Sequence, residues 1–547
     1  MKETAPIFLP QLPNEIVTDA RKTRLCAYAV ALEGWRRGLK LKWYTKDSEH
    51  FQDMVVFGVN PPGRLFSLSS DTATHYFFRT RGDLVPNEAV EIGSEKDDTK
   101  IHLDKADVPV PKGRGFSPET LDEEIISYGR SLGYPLVLKP TDGSLGAGVV
   151  TNIQDEQELI KALEYVREEL EYEEVVVEQY VTGEEYRLYV VEDKVVAAYN
   201  RVAANITGDG EHTINELIEL KNRQRKRNAR LYSCLIEIDV EIIEFIEAAG
   251  YTLESVPEKG EKIYLRQKTN VSSGGDPIDV LDDLSDDIKE IAINALKAVP
   301  GLKHGGVDII INEGNVSHHP AVVIELNPTA QIGGALYPLK GESRNIPAAI
   351  IDYYFPETKG MDTTDSNIYF ELTTVLEPLE NRSAVEVEVN QAPQGKMYAK
   401  RYIVSGTVGR QSYHQWLKKQ ALDHGLHGHV KNLYYGKIEI LVAGTDKDDV
   451  ARFKQIIEGN PDKSKIDKIK EETYDGFIKV GFDVEESHQP SDLRSVDTAL
   501  KKMAKDLRRK EKEKYQTEKR NRYIAASNSW KFTTPIRKVG KMLKKDK

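Results

Sequence analysis

The stretch VDIIINEGNVSHHPAVVIELN, residues 307–327, decides how the fold of this chain is interpreted. Two apolar, β-branched runs of strand length flank a turn that contains glycine. Asp308 lies in the first run, and Glu325 and Asn327 lie at the end of the second. If the two strands are neighbours, these side chains converge as hard oxygen ligands, which suit Mg²⁺ and Mn²⁺. The stretch therefore predicts a divalent-metal site on a pair of strands.

A glycine-rich segment upstream, LVLKPTDGSLGAGVV at residues 136–150, has the composition of a phosphate-binding loop. Its glycines let backbone N–H groups approach and wrap phosphates. Lys139 places a cation beside the loop, and Lys100 is a second candidate. Hairpin turns use the same residue types, so the loop alone does not identify a nucleotide site. Together with the predicted metal ligands, it favours an enzyme that uses ATP.

A third segment, VVVEQYVTGEEYR at residues 175–187, is typical of a strand followed by a hinge. The backbone of a hinge such as Glu178-Gln179-Tyr180 can contact adenine, and a nearby carboxylate such as Glu185 can hold ribose hydroxyls. Taken by itself, the segment is more typical of ordinary exposed acids.

Length and composition favour a multidomain protein of a reducing compartment. A chain of 547 residues exceeds a single core, so we expect three or four domains. Cys26 and Cys234 have no metal-site spacing, which argues against a zinc site or a disulfide framework. The first residues lack a signal-peptide pattern, and no apolar run approaches the roughly 20 residues of a membrane span. We therefore expect a cytoplasmic protein.

The charge is unevenly distributed along the chain. Residues 491–547 hold 19 Lys and Arg but 7 Asp and Glu, a net charge of +12. The rest holds 57 basic and 81 acidic residues, a net charge of −24. A basic tail on an acidic body predicts an anionic partner, with an anionic membrane surface favoured over nucleic acid. A solvated helix end is the alternative.

The pattern of strands and helices predicts an α/β (α+β) protein with five segments. Residues 1–92 form an N-terminal α/β domain and residues 93–360 a larger α/β domain. Residues 361–397 are a linker that includes one strand. Residues 398–487 have the order strand, helix, strand, strand, helix, strand, and residues 488–547 form a basic helical tail.

Residues 93–340 resemble the ATP-grasp superfamily. Within it, the likeness is greatest to the ligase domain of cyanophycin synthetase and of the related glutathione-forming fusion enzymes. The matching stretches, in the family's order, are SEKDDTKIHLDKADVPVPKG (94–113), LKPTDGSLGAGV (138–149), VEQYVTGEEYRLYVV (177–191), NRVAANITGDGEHTINELIELKN (200–222), YLRQKTNVSSGGDPIDV (264–280) and HGGVDIII with VIELNPTAQIGG (within 304–334). The resemblance implies an ATP-grasp fold for this region.

The resemblance also implies roles for individual residues. The nucleotide would be bound by Lys100, Lys139, the loop residues Ser144, Leu145 and Gly146, the hinge Glu178, Gln179 and Tyr180, and the ribose carboxylate Glu185. Magnesium would be bound by Asp308, Glu325 and Asn327. Arg201, Arg266 and Lys139 match catalytic positions, and the substrate pocket would contain Arg266, Asn270, Ser272, Ser273 and Gly274. Arg187 matches an arginine that is structural as readily as catalytic, and Asp209 matches a turn.

The family chemistry implied is ATP-dependent joining of a carboxylate to an amine through an acyl phosphate. The substrates would be amino acids or peptide-like compounds, including a cell-envelope precursor, and the family often forms homo-oligomers. A phosphate-transferring kinase is one alternative, although the segment LRQKTNVSSGG (265–275) resembles amide-forming members. A scaffold in which nucleotide binding is regulatory is the other.

Residues 398–487 resemble acylphosphatase, which has a ferredoxin-like fold. Gly406 and Val408 match its phosphate loop, and Asn432 matches its water-orienting asparagine. His414 stands where the family has its essential arginine, and Arg410 replaces a loop glycine. A neutral histidine cannot grip phosphate as a guanidinium does, so we predict a degenerate site in a binding or structural module.

Overall fold

The computed structural model describes residues 12–14, 16–141, 148–311, 320–361, 363, 366–433, 436–459 and 465–485. The predicted loop residues Ser144, Leu145 and Gly146 and the predicted basic tail at 488–547 lie outside the described residues. Helices and strands alternate through most of the described chain, as the sequence predicts. Within it, no helix combines the length and the apolar character needed to cross a bilayer.

The described strands are β1 (Lys40–Tyr44), β2 (Leu65–Ser69), β3 (Thr74–Phe78), β4 (Arg81–Gly82), β5 (Gly113–Phe116), β6 (Leu136–Pro140), β7 (Val150–Ile153), β8 (Val175–Gln179), β9 (Glu184–Val191), β10 (Lys194–Val202), β11 (Asn205–Thr207), β12 (Lys262–Tyr264), β13 (Asp276–Asp279), β14 (His304–Ile311), β15 (Ala321–Asn327), β16 (Ile368–Tyr369), β17 (Glu386–Glu388), β18 (Tyr398–Gly406), β19 (His427–Asn432), β20 (Lys437–Gly444), β21 (Ile466–Thr473), β22 (Ile478–Lys479) and β23 (Phe482–Glu485).

The described helices are α1 (Thr23–Arg36), α2 (Asn87–Ser94), α3 (Lys96–Lys105), α4 (Asp122–Leu132), α5 (Glu156–Leu163), α6 (Ile214–Arg225), α7 (Val240–Ala248), α8 (Asp286–Lys297), α9 (Gly333–Leu336), α10 (Ile346–Tyr354), α11 (Leu372–Glu380), α12 (Gln411–Asp423) and α13 (Lys447–Glu458).

The N-terminal sheet has the order β17-β1-β2-β3-β4 and packs against α1. Most of α1 is buried, because its small and apolar residues face α10 on one side and the sheet on the other. Strand β17 comes from the segment expected to be a linker and pairs antiparallel with β1. That segment therefore completes the N-terminal sheet.

The central sheet has the order β13-β10-β9-β14-β15, and all neighbouring strands are antiparallel. The apolar face of α8 covers one side of it through Ile288, Ala292 and Leu296. Strands β14 and β15 contain the metal-ligand candidates. A register irregularity follows Asp308 and re-aims the side chains on either side of it. This sheet is the platform of the candidate site.

A smaller sheet, β5-β8-β6-β7, carries α4 and α5 on one face. Its core is aliphatic, with Ile125, Leu159 and Val177 almost completely buried. Strand β8 ends at the predicted adenine hinge, and β6 carries Lys139. The sheet thus brings the nucleotide-binding candidates onto neighbouring strands.

The last unit has the sheet order β21-β18-β20-β19-β23, with α12 and α13 packed on the sheet. The first four strands and two helices follow the predicted order along the chain. Strand β22 leaves this unit and pairs in parallel with β16. Ile478 of β22 is fully buried in the same apolar cluster as α1. This last unit, the second unit, is therefore attached to the preceding part of the protein, the first unit, by a shared apolar core.

Candidate active site

A cavity of about 1670 Å³ lies between the central sheet, the small sheet and the N-terminal layer. Its walls include side chains from every stretch that the sequence singles out for nucleotide, metal and substrate. Those from the predicted set are Lys139, Glu178, Gln179, Tyr180, Glu185, Arg201, Asn270, Ser272, Glu325 and Asn327. The fold therefore brings these residues to one place.

A row of charged side chains crosses the central sheet beneath this cavity. Glu325 of β15 is opposite Asp308 of β14, and Asp308 is opposite Arg187 of β9. The two Arg187 nitrogens Nε and Nη2 donate to the two Asp308 carboxylate oxygens at 2.5 Å each. Opposite residues on antiparallel strands share a face, so the register alone aligns the three groups.

A second row lies one step along the same strands. Glu185 of β9 and Arg201 of β10 are ion-paired at 2.6 Å, and Arg201 also donates to Asp308 at 2.8 Å. Thr269 donates to the other oxygen of Glu185. Both oxygens of the predicted ribose carboxylate thus have protein partners.

Asp308 and Glu325 differ in their electrostatic surroundings. Asp308 is completely buried, and its two arginines outweigh the burial and lower the pKa of its carboxyl group. Glu325 is exposed to the cavity, and the partial desolvation of its carboxyl group together with the charge of Asp308 raises its pKa. Asp308 is therefore ionised, whereas Glu325 holds its proton more tightly than an ordinary glutamate.

The donor set of this corner fits Mg²⁺ or Mn²⁺. It consists of two carboxylates and one amide, which are hard oxygen ligands. The metal-binding atom of Asn327 would be Oδ1, whereas its buried Nδ2 has no hydrogen-bond partner among the described residues. Among the same residues, no three His, Cys, Asp or Glu side chains gather closely enough to hold a metal. A metal here would thus depend on Asn327 and on phosphate oxygens in addition to the two acids.

The two predicted nucleotide lysines meet at Glu178. Lys139 Nζ is 2.7 Å and Lys100 Nζ is 3.7 Å from its carboxylate oxygens. Lys100 also donates to the carbonyl of Pro111, and burial lowers the pKa of its amine. Glu178 is 6% exposed, so it acts here as the counterion of both lysines. An adenine contact from this residue would have to come from its backbone.

The hinge amides are also committed to the fold. The N–H of Gln179 donates to the carbonyl of Lys112 at 2.8 Å, and that of Tyr180 donates to Pro135 at 3.0 Å. Adenine recognition by these two residues is therefore left to their carbonyl groups and side chains, which stays a prediction.

Lys96 is a cavity cation that sequence reasoning missed. Its Nζ donates to the carbonyls of Pro140 and Thr141 at 3.1 Å, at the start of the phosphate loop. Its charge also acts on Glu325 and opposes the rise in the pKa of that carboxyl group. Lys96 precedes Lys100 by four residues on α3, and that spacing places both on one helix face. This spacing is the signal that could have found it.

The predicted substrate-side residues are divided between two surroundings. Asn270 and Ser272 line the cavity, and Ser273 and Gly274 belong to the turn that supports them. Arg266 is instead paired with Glu241 at 2.6 Å and Asp239 at 2.8 Å, on and beside α7. Contact between Arg266 and a substrate requires release of these pairs, and its catalytic role stays a prediction.

The acylphosphatase-like loop has no arginine in the position held by His414. The His414 ring is 2% exposed, and its Nε2 lies 3.2 Å from the carbonyl oxygen of Val408. Burial lowers the pKa of this imidazole, so it is neutral near pH 7. Arg410 is exposed at the start of α12, and a Cβ added to Gly409 would lie 3.3 Å from Asn432 Oδ1. The loop and Asn432 are thus adjacent without a buried cation.

Two family models match the chain. Residues 95–217 match a RimK-like ATP-grasp domain, and residues 400–484 match acylphosphatase. The two matches confirm the predicted order of an ATP-grasp domain followed by an acylphosphatase-like domain.

Curated relatives cover the first of these regions. Cyanophycin synthetase of Crocosphaera subtropica is 34% identical over 273 residues, which are 49% of this chain and 31% of the relative. The bifunctional glutathione-biosynthesis protein of Clostridium perfringens is 34% identical over 266 residues, 47% of this chain and 33% of the relative. The chain therefore spans about a third of the length of these relatives.

Among solved structures, a bifunctional glutathione synthetase from Pasteurella multocida is 28% identical, with a TM-score of 0.43. The match covers 54% of this chain and 41% of that protein, so the overall likeness is weak. The two family matches fall on separate sheets of the structure, and together they lead to one conclusion. The chain carries a segment similar to a RimK-like ATP-grasp domain, followed by a segment similar to acylphosphatase.

Proposed function

We propose that the protein is an ATP- and Mg²⁺-dependent carboxylate–amine ligase that forms an amide bond through an acyl phosphate. The observation that carries this proposal is the row of Glu325, Asp308 and Arg187 beneath a cavity that Lys139 also lines. A carboxylate is a poor electrophile, and transfer of a phosphoryl group to it creates a leaving group that an amine can displace. The reaction needs cations around the phosphates and no side-chain nucleophile.

The cations of the cavity have distinct proposed tasks. Lys96 and Lys139 approach from the small-sheet side and would reduce the repulsion between the triphosphate and a reacting carboxylate. Arg201 bridges Asp308 and Glu185. It is therefore the guanidinium best placed to stabilise the negative charge that shifts during phosphoryl transfer. Asp308, Glu325 and Asn327 would hold Mg²⁺, which would supply positive charge to offset that of the phosphate groups. Arg187 would position Asp308 for this task.

The substrates are proposed to be amino acids or peptide-like acids and amines, with a cell-envelope precursor as the larger candidate. The two relatives are named for the synthesis of cyanophycin and of glutathione. Homo-oligomer formation and binding of the basic tail to an anionic membrane stay predictions, since the tail at 488–547 lies outside the described residues.

Release of ADP separates the ligase from its two rivals. We expect ADP to form from ATP only when pooled carboxylic acids and pooled amines are both supplied, together with an amide detectable by mass. ADP formed with an acid alone, with no amide after amines are added, would identify a kinase. ATP binding without turnover would identify a scaffold.

A matched pair of variants ties this activity to the cavity. Glu325→Gln removes one proposed metal ligand, and we expect at least a hundred-fold loss of rate, because metal ligation typically supplies several kcal/mol of transition-state stabilisation. Glu342→Gln makes the same change on the surface, where the side chain is 80% exposed. Equal rates for the two variants would argue against the proposed metal site.

For the acylphosphatase-like domain, we infer a binding or structural role rather than hydrolysis. A neutral, buried His414 cannot supply the fixed positive charge that a phosphate loop requires. We expect the protein to hydrolyse acetyl phosphate no faster than buffer does. Hydrolysis that disappears in an Asn432→Ala variant would show that the loop is active after all.

A further inference from the structure

Three arginines from separate segments line the same end of the cavity, where they gather around the buried Cys26 of α1. We name Arg64, Arg79 and Arg230 the arginine cluster. Within the described part of the chain, none of the three forms an ion pair with a carboxylate, in contrast to Arg187 and Arg201 of the same cavity. The end of the cavity therefore carries positive charge that these residues do not neutralise.

Arg79 is held in place by aromatic rings rather than by acceptors. Its guanidinium lies 4.7 Å from the ring centroid of Phe57 and 4.8 Å from that of Phe78. Its Nε is buried and has no hydrogen-bond partner among the described residues. Its backbone φ of +59° is unusual for a residue other than glycine, and such conformations concentrate at functional sites. The ring contacts fix the guanidinium while its hydrogen-bonding edge stays unsatisfied.

Arg64 and Arg230 are anchored through one side only. Arg64 donates to Thr23 Oγ1 at 2.7 Å and to the carbonyl of Pro61 at 2.6 Å. Arg230 donates through Nη1 to Cys234 Sγ at 2.7 Å. In each case the remaining terminal nitrogen, Nη2, has no protein partner in the described ranges. Both side chains are thus positioned with a donor left for a ligand.

The arginine cluster is close to the proposed metal ligands. A tight turn follows Asn327, because the N–H of Ala330 donates to the Asn327 carbonyl at 3.2 Å. Such turns bring their ends to within about 7 Å. Thr80, next to Arg79, donates to the Ala330 carbonyl at 3.2 Å. The backbone that carries Arg79 therefore lies beside the turn that follows the proposed metal ligand Asn327.

We propose that the arginine cluster binds a second carboxylate of the substrate, distinct from the one that is activated. The inference rests on the proposed function and specifies its substrate class, which is dicarboxylates such as an acidic amino acid or an acidic peptide. Guanidinium groups bind carboxylates through paired, charge-assisted hydrogen bonds. The triphosphate is proposed to have its own cations in Lys96 and Lys139, beside the small sheet.

Titration calorimetry with glutarate and pentanoate tests this directly. The two acids have the same chain length but differ by one carboxylate. We expect the protein to bind glutarate roughly ten-fold or more tightly than pentanoate, as one charged hydrogen-bonded contact predicts. Arg79→Gln and Arg230→Gln should each remove this preference. Arg130→Gln, a change of the same kind at an exposed pair on α4, should leave it intact.

Several outcomes would overturn the proposal. These are equal binding of glutarate and pentanoate by the unchanged protein, loss of the preference in Arg130→Gln as well, and competition of inorganic phosphate or ATP with glutarate. The last would assign the cluster to phosphate groups. Arg79 packs against two aromatic rings, so Arg79→Gln could fail to fold. Arg230→Gln removes no ring contact and then serves as the test variant.

Failure of this proposal is distinguishable from failure of the proposed function. The titration requires no turnover, so a glutarate preference that depends on Arg79 supports the cluster even when no amide forms. Amide formation from acids with a single carboxylate, at undiminished rate, would keep the ligase and contradict the second-carboxylate site.

Discussion

Asp308 and Glu325 face each other across two strands, and the structure predicts opposite consequences for neutralising each one. Asp308 is buried between two guanidinium groups, whereas Glu325 is held beside another carboxylate. Asp308 is needed to neutralise the positive charge of the two arginines. Glu325 instead adds to a negative charge that a bound metal ion would offset.

The variants Asp308→Asn and Glu325→Gln should both lose ligase activity but differ in stability. Removing the Asp308 charge leaves Arg187 and Arg201 without their shared partner, and breaking such buried pairs costs about 3 kcal/mol or more. Glu325→Gln removes repulsion and should unfold no more readily than the unchanged protein. Thermal melting without metal measures both. Equal destabilisation of the two variants would contradict the electrostatic account.

At the residue scale, the sequence predicts which candidate metal ligands lie on neighbouring strands, because strand register and residue chemistry are local properties; that they bind a metal stays a prediction. Asp308, Glu325 and Asn327 converge as expected from two neighbouring strands. Arg79 could not be predicted, because its role depends on a contact between the N-terminal layer and the turn after Asn327. Arg266 illustrates the same limit, since its partners lie on and next to α7, about 25 residues earlier in the chain.

At the element scale, the turn that supports Asn270 and Ser272 depends on Gly274. Its φ is +97°, and a Cβ there would meet Ile236 at 2.8 Å. We expect Gly274→Ala to raise the KM for the acid or amine several-fold without changing the KM for ATP. Gly133→Ala is the control, because Gly133 has φ of +85° but open space around it. A KM change in the control alone would contradict this role.

Strand β14 begins with a buried histidine that should make stability depend on pH. His304 contacts the hydroxyl groups of Tyr189 and Tyr354 at 3.1 Å, and burial lowers its pKa from 6.5 to about 4. Between these values the unfolded chain binds a proton that the native protein does not. The free energy of unfolding should therefore fall by roughly 3 kcal/mol as the pH drops through this window, and be retained above it.

A His304→Gln variant isolates this contribution. The variant should be less stable overall, because it alters two buried contacts, but its unfolding free energy should change less between about pH 7 and about pH 4. Denaturant titrations across that range measure the slope. Parallel pH profiles for the two proteins would show that His304 does not set the acid sensitivity.

Elements with strong periodicity are predictable from the sequence, but pairings between remote segments are not. The strand and helix order of residues 398–487 follows the expected pattern, because each element has its own apolar face. Strand β17 pairs with β1 although more than three hundred residues separate the two strands along the chain, and β16 pairs with β22. The position of such short strands depends on the surface that each one packs against, and their own residue pattern does not reveal that surface.

At the scale of the whole molecule, the shared core should couple the stability of the two units. Ile478 of the acylphosphatase unit is buried in the cluster that contains α1, so Ile478→Ala should lower the melting temperature of both units. Buried Ile→Ala changes cost about 2–5 kcal/mol. Leu417→Ala, inside the core of the second unit alone, is the matched control.

Calorimetry with and without Mg²⁺ and ATP identifies which transition belongs to the nucleotide-binding unit. Ligand should raise only the transition of the unit that binds it. If Ile478→Ala lowers that transition no more than Leu417→Ala does, the shared core does not couple the units.

Transfer of oxygen from substrate to phosphate tests the ligase account most directly. Amino acids labelled with ¹⁸O in their carboxyl groups are supplied with ATP and Mg²⁺, and the released phosphate is analysed by mass. An acyl phosphate that an amine displaces carries one carboxylate oxygen into the phosphate, so we predict one ¹⁸O per amide formed. Amide formation with unlabelled phosphate, or labelled acid that ends as a stable phosphorylated product, would contradict the account.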